Sequence, residues 1–274
     1  MGTSATKDRR PLALGLIGMG AIGLDVLGMI RSSLADRITV ESVLVRTPRA
    51  ESGDVPVTHE PERFLAHRFD AVLEGAGHAA VRDHGERILA SGADLIVTSV
   101  GAFCEDDLYR RCVGAAERSG GRLIIPSAGI GALDTLSAAA VGGLDEVHMI
   151  VRKDPSAWYG TRAEGEHDLA ALTGPTVIFE GTPREGALLY PQNVNISAAV
   201  SLAGLGLDRT HLTIIADPQI DTHVCEVHAT GAFGSFSFRE DIAVSPTNRK
   251  TGQIVAMAVM KTIRQLVNPV VIGA

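Results

Sequence analysis

The sequence is poor in several things at once. Aromatic residues make up 4% of its 274 positions, cysteine occurs three times, and 25 Lys+Arg face 32 Asp+Glu for a formal charge of −7. With that balance there is no lysine–arginine stripe to neutralise phosphates, which argues against a nucleic-acid partner. Cys104, Cys112 and Cys225 are odd in number and lack metal-ligand spacing. They read as reduced thiols of a cytoplasmic protein, with no metal site expected. Long hydrophobic runs are missing too. Residues 12–30 are nearly uncharged and follow Lys7, Arg9 and Arg10, as a signal peptide or membrane helix would. They also carry five glycines and Asp25, which a strand–turn–helix explains better, so no membrane span is expected.

Glycine is the surplus, at 30 residues or about 11% against an ordinary ~7%, and it points to tight turns and close backbone approaches. Apolar residues at 45% and charged residues at 21% exclude a disordered or fibrous chain. At roughly 150 residues per domain, the length corresponds to about two domains.

Residues 12–17, 38–45, 71–73, 94–100 and 123–125 are short apolar runs of the kind found in buried parallel strands. Helical spacing over 21–34, 79–90 and 105–119 alternates with them, which predicts right-handed βαβ units. Past Pro126 the rhythm changes. Strand patterns fall at 147–152, 176–179, 212–216, 223–230 and 235–242, and helical ones at 183–189, 194–205 and 251–267. The expected fold is α/β: a Rossmann-like doubly wound parallel sheet over 11–125, then a second α+β, mostly antiparallel catalytic domain over 126–246. A C-terminal helix within 247–274 is expected to pack back on the first domain.

Gly18-Met19-Gly20-Ala21-Ile22-Gly23 fits G-x-G-x-x-G between a strand and a helix. Gly18 permits the tight turn, Gly20 lets a pyrophosphate approach, Gly23 allows close helix–strand packing, and Ala21 and Ile22 open the helix whose amides would hold the phosphates. The second strand ends Leu44-Val45-Arg46-Thr47, without the acid that selects NAD. Arg46 is either an exposed strand-end cation or a partner for a 2′-phosphate, so the cofactor is NAD or NADP.

Ligands of doubly wound sheets bind beyond the carboxyl ends of the strands. Three small-residue loops fall there: Glu74-Gly75-Ala76-Gly77-His78, Ser99-Val100-Gly101-Ala102 and Pro126-Ser127-Ala128-Gly129-Ile130-Gly131. Gly75, Ser99, Val100 and Gly129 would let a flat nicotinamide lie against backbone, and His78 would touch the cofactor or cap the next helix. In the second domain, His223 opens an alternating strand after Asp217-Pro218 and Asp221-Thr222. It is either a structural imidazole or one presented to a cleft. Asn193 and Asn195 precede or begin an Ala-rich helix, as an N-cap or as ligand contacts. Arg152, Lys153, Arg162 and Arg184 are surface charges or holders of an acidic substrate.

Together with Val151-Arg152-Lys153, Phe179-Glu180-Gly181, Pro191-Gln192-Asn193-Val194-Asn195, Ala216-Asp217-Pro218 and Gly231-Ala232-Phe233-Gly234, these blocks resemble the aspartate dehydrogenases of the NAD-biosynthesis type, from about Leu12 to the C-terminal helix. The resemblance implies reversible oxidative deamination of L-aspartate to oxaloacetate and ammonia through iminosuccinate, with NAD or NADP, in a homodimer joined through the second domain. It also implies that His223 is the catalytic histidine, and that Gly129 and one of Asn193 or Asn195 touch the cofactor. The chain departs from the family in having Asp221 where an Asn is usual, and Ser127-Ala128-Gly129 where the order is usually Ser-Gly-Ala. Two other readings remain: a dehydrogenase of another small amino or hydroxy acid, and a non-catalytic NAD(P) sensor.

Overall fold

The structure, a computed structural model, describes residues 10–48, 55–190, 194–245 and 252–273. Its first lobe runs β1 (Leu12–Ile17), α1 (Ala21–Ser33), β2 (Ile38–Leu44), β3 (Val57–Thr58), α2 (Pro61–Leu65), β4 (Ala71–Glu74), α3 (His78–Ala90), β5 (Asp94–Val97), α4 (Asp106–Ser119) and β6 (Leu123–Ile124). The strands form one parallel sheet in the order β3-β2-β1-β4-β5-β6. β1, and β4 up to its closing Glu74, read as apolar runs because both sheet faces are covered. Val26, Leu27 and Ile30 recur at helical spacing on α1 and bury one stripe against that sheet. Each contributes about 1.5–3 kcal/mol relative to exposure.

The second lobe runs α5 (Leu133–Gly142), β7 (Leu144–Lys153), α6 (Arg162–Glu166), β8 (Thr176–Gly181), α7 (Pro183–Leu189), α8 (Asn195–Ala203), β9 (His211–Ala216), β10 (His223–Gly231) and β11 (Gly234–Ile242). The sheet order is β11-β10-β7-β9-β8, antiparallel throughout except for β7 on β9. Strand alternation turns Val147, Met149 and Val151 of β7, with Cys225, Val227 and Ala229 of β10, onto a core shared with Leu136 of α5 and Ala198 of α8. The opposite face carries the half-exposed His148 and His228 beside the exposed His211. α9 (Ile254–Val267) returns to the first lobe, burying Ala256, Val259, Met260 and Ile263 against the α1 stripe. Among the described residues, no helix is long and apolar enough to cross a membrane.

The fifth strand stops at Val97 rather than running to residue 100. From Ser99 onward the chain leaves the ladder: the Ser99 N–H donates to a side chain of the neighbouring strand, and Val100–Cys104 curls into a 3-10 turn. α7 begins where expected, because Thr182 and Glu185 form a reciprocal capping box ahead of Pro183. Arg184 on α7 ties the lobes together. Its guanidinium holds Asp208 and Asp106 and donates to the Cys104 carbonyl at 2.9 Å.

Candidate active site

The three glycines of the first turn have three different surroundings. Gly18 adopts φ +98° and its N–H donates to the Leu44 carbonyl at 2.9 Å. A Cβ placed there would stand 2.8 Å from the Gly75 carbonyl oxygen, so the β1–α1 and β4–α3 turns are packed backbone to backbone. A Cβ on Gly23 would stand 2.5 Å from the Gly18 carbonyl oxygen. A Cβ on Gly20, by contrast, would meet nothing within 4 Å. α1 starts there without a side-chain cap and without an acid in its first turn, leaving the amides of Ala21, Ile22 and Gly23 to an anion. An open Gly20 facing an uncapped helix of 13 residues fits a dinucleotide pyrophosphate.

In the strand order 3-2-1-4-5-6 a dinucleotide spans the switch point between the two halves, here β1 and β4. Arg46, exposed two residues past β2, lies on the β1-β2-β3 half. Gly75, Ser99, Val100 and Gly129 lie past the ends of β4, β5 and β6, on the other half. Two hydrogen-bonded nodes organise these loops. The buried Glu74 carboxylate, 1% exposed, accepts from the Ala76 and Gly77 amides at 2.7 and 2.8 Å and from the Ser99 hydroxyl at 2.9 Å through Oε1. Its Oε2 accepts from the Ser99 N–H at 3.1 Å. Burial holds its pKa above the ordinary carboxylate value, and these four hydrogen bonds offset part of that rise.

The second node joins the lobes. Asn195 Oδ1, at the start of α8, accepts from the Gly101 N–H at 2.9 Å and meets His78 Nε2 at 2.9 Å. Because a side-chain carbonyl only accepts, the His78 Nε2 must carry a proton. Asn193 lies outside the described residues.

The third loop holds Ala128 at φ +47°, among the described residues the one non-glycine in the left-handed region. Gly129 beside it is closely packed: a Cβ there would stand 3.0 Å from Ile196 Cδ1, which would have to give slightly, and in ordinary contact at 3.5 Å with Ile242 Cδ1. Ile242 is the cross-strand partner of His223. The loop end at β6 and the start of β10 are thus one residue pair apart. The Gly131 N–H donates to Glu240 on β11 at 3.1 Å, holding the strand against the loop.

His223 is 6% exposed and lines a cavity of about 180 Å³ with Asp154, Ser156, Ala157, Asp221, Thr222 and Val244. The register Val224 opposite Arg152 brings Lys153 beside His223 at the ends of β10 and β7. Lys153 is 5% exposed, with its ammonium 5.7 Å from the Trp158 ring centroid. Its charge reaches Cys225 on the same face: burial raises that thiol to about 12, and Lys153 pulls against the rise. Arg152 alternates to the opposite face, where it pairs with the buried Asp217 at 3.2 Å. Asp217 in turn accepts from the Gln219 N–H at 2.9 Å, so Arg152 anchors the loop leading to His223. Arg162 pairs with Glu166 and Arg184 with Asp106 and Asp208, and neither lines the His223 cavity.

In the sequence Glu74 stands out only as part of a loop, and Glu240 does not stand out at all. The available signal for Glu74 was an ionisable residue closing a fully buried strand, Ala71-Val72-Leu73-Glu74, just before two glycines. Glu240 carried none, because strand alternation alone does not say which loop faces it.

Comparison with known proteins bears on both lobes. A family profile described as the homoserine dehydrogenase NAD binding domain matches residues 18–126, and one described as aspartate dehydrogenase, C-terminal, matches residues 134–266. The L-aspartate dehydrogenase of Ralstonia nicotianae is 41% identical over 258 residues, covering 92% of this chain and 96% of the relative. That of Pseudomonas aeruginosa is 40% identical over 259 residues, covering 90% and 95%. The crystal structure of an aspartate dehydrogenase from Thermotoga maritima superposes with a TM-score of 0.75 over 95% of this chain and 99% of that one, at 24% identity, and shares the fold.

Proposed function

The chain belongs to the L-aspartate dehydrogenase family, and from that premise we propose how the residues of this NAD(P)-dependent oxidoreductase divide its work. Gly18, Gly20, Ala21, Ile22 and Gly23 hold the pyrophosphate, and Arg46 faces the adenine ribose. Gly75, Ser99, Val100, Gly129 and Asn195 border the nicotinamide, with Asn193 as a further contact. Lys153 holds a substrate carboxylate. Bound NAD(P) supplies the acceptor for the hydride leaving the aspartate Cα. His223 takes a proton from water as that water attacks the imine carbon, and returns protons as ammonia departs and oxaloacetate forms.

The observation that carries this reading is the seating of Ile242, the strand partner of His223, against Gly129 at the end of β6. It supports the reading by bringing the imidazole's strand to the β6 end of the sheet, the half on which the reacting ring is proposed to lie. A cytoplasmic homodimer serving NAD biosynthesis is proposed from family membership. The test is an NAD(P)H-oxidation assay with oxaloacetate and ammonia, run also in reverse with L-aspartate. Turnover in both directions is expected. Turnover only with other amino or hydroxy acids, or cofactor binding with no turnover, removes the assignment.

A further inference from the structure

The carboxylate of Glu74 has no part in the division of labour above, and its surroundings are unusual. It is almost fully buried, at the last position of β4, where a side chain would ordinarily be apolar. Burying a carboxylate is costly unless it is hydrogen-bonded, and here four donors converge on its two oxygens. Those donors belong to two separate loops: Ala76 and Gly77 after β4, and Ser99 after β5. The same loops are joined a second time, by Asn195 gripping His78 and Gly101. Covalent continuity from Gly77 to His78 and from Ser99 to Gly101 closes these links into a ring. Around that ring, a change at Glu74 moves the Ala76 and Gly77 amides, then His78, then the start of α8.

The loops so tied are those on the β4-β5-β6 half of the sheet, whereas the pyrophosphate turn and Arg46 lie across the switch point. We propose that Glu74 is the positioning residue of the nicotinamide subsite, its carboxylate holding the Gly75 and Ser99-Val100 loops at the spacing that accepts the ring. This rests on the dinucleotide reading above. Glu74 touches neither cofactor nor substrate. It acts through backbone that would otherwise have to order itself on binding, a cost that falls on affinity.

The experiment compares two probes on the full chain: NADH, and ADP-ribose, which lacks the nicotinamide. Glu74→Gln keeps the shape but turns an amide donor toward a donor, because Gln offers an NH2 where Oε2 accepted from Ser99. Expected is a loss of about tenfold or more in NADH affinity, ~1.4 kcal/mol, with ADP-ribose affinity within about twofold of the unsubstituted chain. A purely structural role would weaken both probes together, so equal losses overturn the proposal, as does unchanged NADH affinity. Should the Gln variant not fold, Ser99→Ala removes only the hydroxyl donor; a smaller loss confined to NADH is expected, and no difference overturns it. If the unsubstituted chain binds ADP-ribose but not NADH, this inference fails as well. Normal probe discrimination in a chain that never turns over aspartate would instead sink the substrate assignment alone.

Discussion

The side-chain oxygen of Asn195 lies 2.9 Å from the Nε2 of His78, and the same oxygen lies 2.9 Å from the Gly101 nitrogen. One amide of the second lobe therefore satisfies donors from two loops of the first. Asn195→Ala leaves both donors without that acceptor, at about 1–3 kcal/mol for a buried unpaired group. At 2–4 °C per kcal/mol for a chain of roughly this size, Tm should fall by several degrees. Asn195→Asp retains the accepting oxygen and should melt within a degree or two of the original. It removes the amide N–H2, so it should still bind NADH more weakly if that group touches the cofactor. A fluorescence titration showing unaltered NADH affinity in the Asp variant would remove Asn195 from the cofactor ligands.

The glycine turn allows folding and binding to be separated. Gly23→Ala forces a methyl to 2.5 Å from the Gly18 carbonyl and should destabilise the first lobe by about 1–3 kcal/mol. Gly20→Ala meets nothing within 4 Å, at φ −83°, ψ −164°, a conformation any residue adopts. Its melting temperature should match the unsubstituted chain within a degree or two, while the methyl stands in the path of the pyrophosphate and raises the Kd for NADH at least tenfold. Thermal melts and cofactor titrations on the two variants read both effects. Undiminished affinity in Gly20→Ala would mean that the pyrophosphate lies elsewhere.

Much of this architecture is legible in the chain because the signals are local. The βαβ rhythm from Leu12 to Ile124 follows from apolar runs alternating with helical stripes, and Pro183 with Thr182 and Glu185 announces α7. What resisted was α5, Leu133–Gly142, whose buried Leu133, Leu136 and Ala139 leave too few large side chains to mark a stripe in an Ala-rich stretch. The end of β5 is not legible either, because Val100 is apolar yet belongs to a 3-10 turn, and only a carboxylate 25 residues earlier explains why the chain bends at Ser99. Arg152 and Lys153 are indistinguishable as neighbours in sequence. Strand alternation sends one to Asp217 and the other to the face of His223, and which goes where depends on register across β10.

Arg46 separates two cofactors. With no acidic side chain closing β2 and an exposed guanidinium two residues beyond it, the ribose end should accept a 2′-phosphate. Arg46→Asp should weaken NADPH by about 1.5–3 kcal/mol, the range for a lost charge-assisted hydrogen bond, and leave NADH unchanged or tighter. Equal or tighter NADPH binding in that variant ends the assignment.

On the open face of the second sheet, His148 stands between His211 and His228, with ring centroids 4.6 and 6.4 Å away. Burial, reinforced by the two neighbouring histidines, holds its pKa below the ordinary value, although Glu180 and Glu226 pull it upward. A histidine depressed in the folded state is protonated first in the unfolded chain. The stability it affects is complete above about pH 6.5 and is lost as pH falls from there towards the folded-state pKa. Urea midpoints should therefore drop between about pH 7.5 and 5.5, and His148→Gln should remove part of that drop. An identical drop in the Gln variant would place the titrating group elsewhere.

His223 and Lys153 stand side by side at the ends of β10 and β7, yet the roles proposed for them predict opposite kinetic signatures. A proton-transfer group acts in the transition state, so His223→Ala should lower kcat by about 10²–10⁴ while NADH affinity stays as it was. A group that grips a carboxylate in ground and transition state alike contributes uniform binding, so Lys153→Met should raise KM for aspartate with kcat nearly unchanged. Met fills a similar volume under Trp158 and gives up the cation–π contact, about 0.5–2 kcal/mol, so a thermal melt of Lys153→Met run beside the kinetics separates folding from binding. If Lys153→Met lowers kcat as steeply as His223→Ala, the ammonium belongs to the proton-transfer machinery and the carboxylate is held elsewhere. If His223→Ala turns over at the original rate, the imidazole is structural and the water-activating base must be sought among the other groups lining its cavity, Asp154 and Asp221.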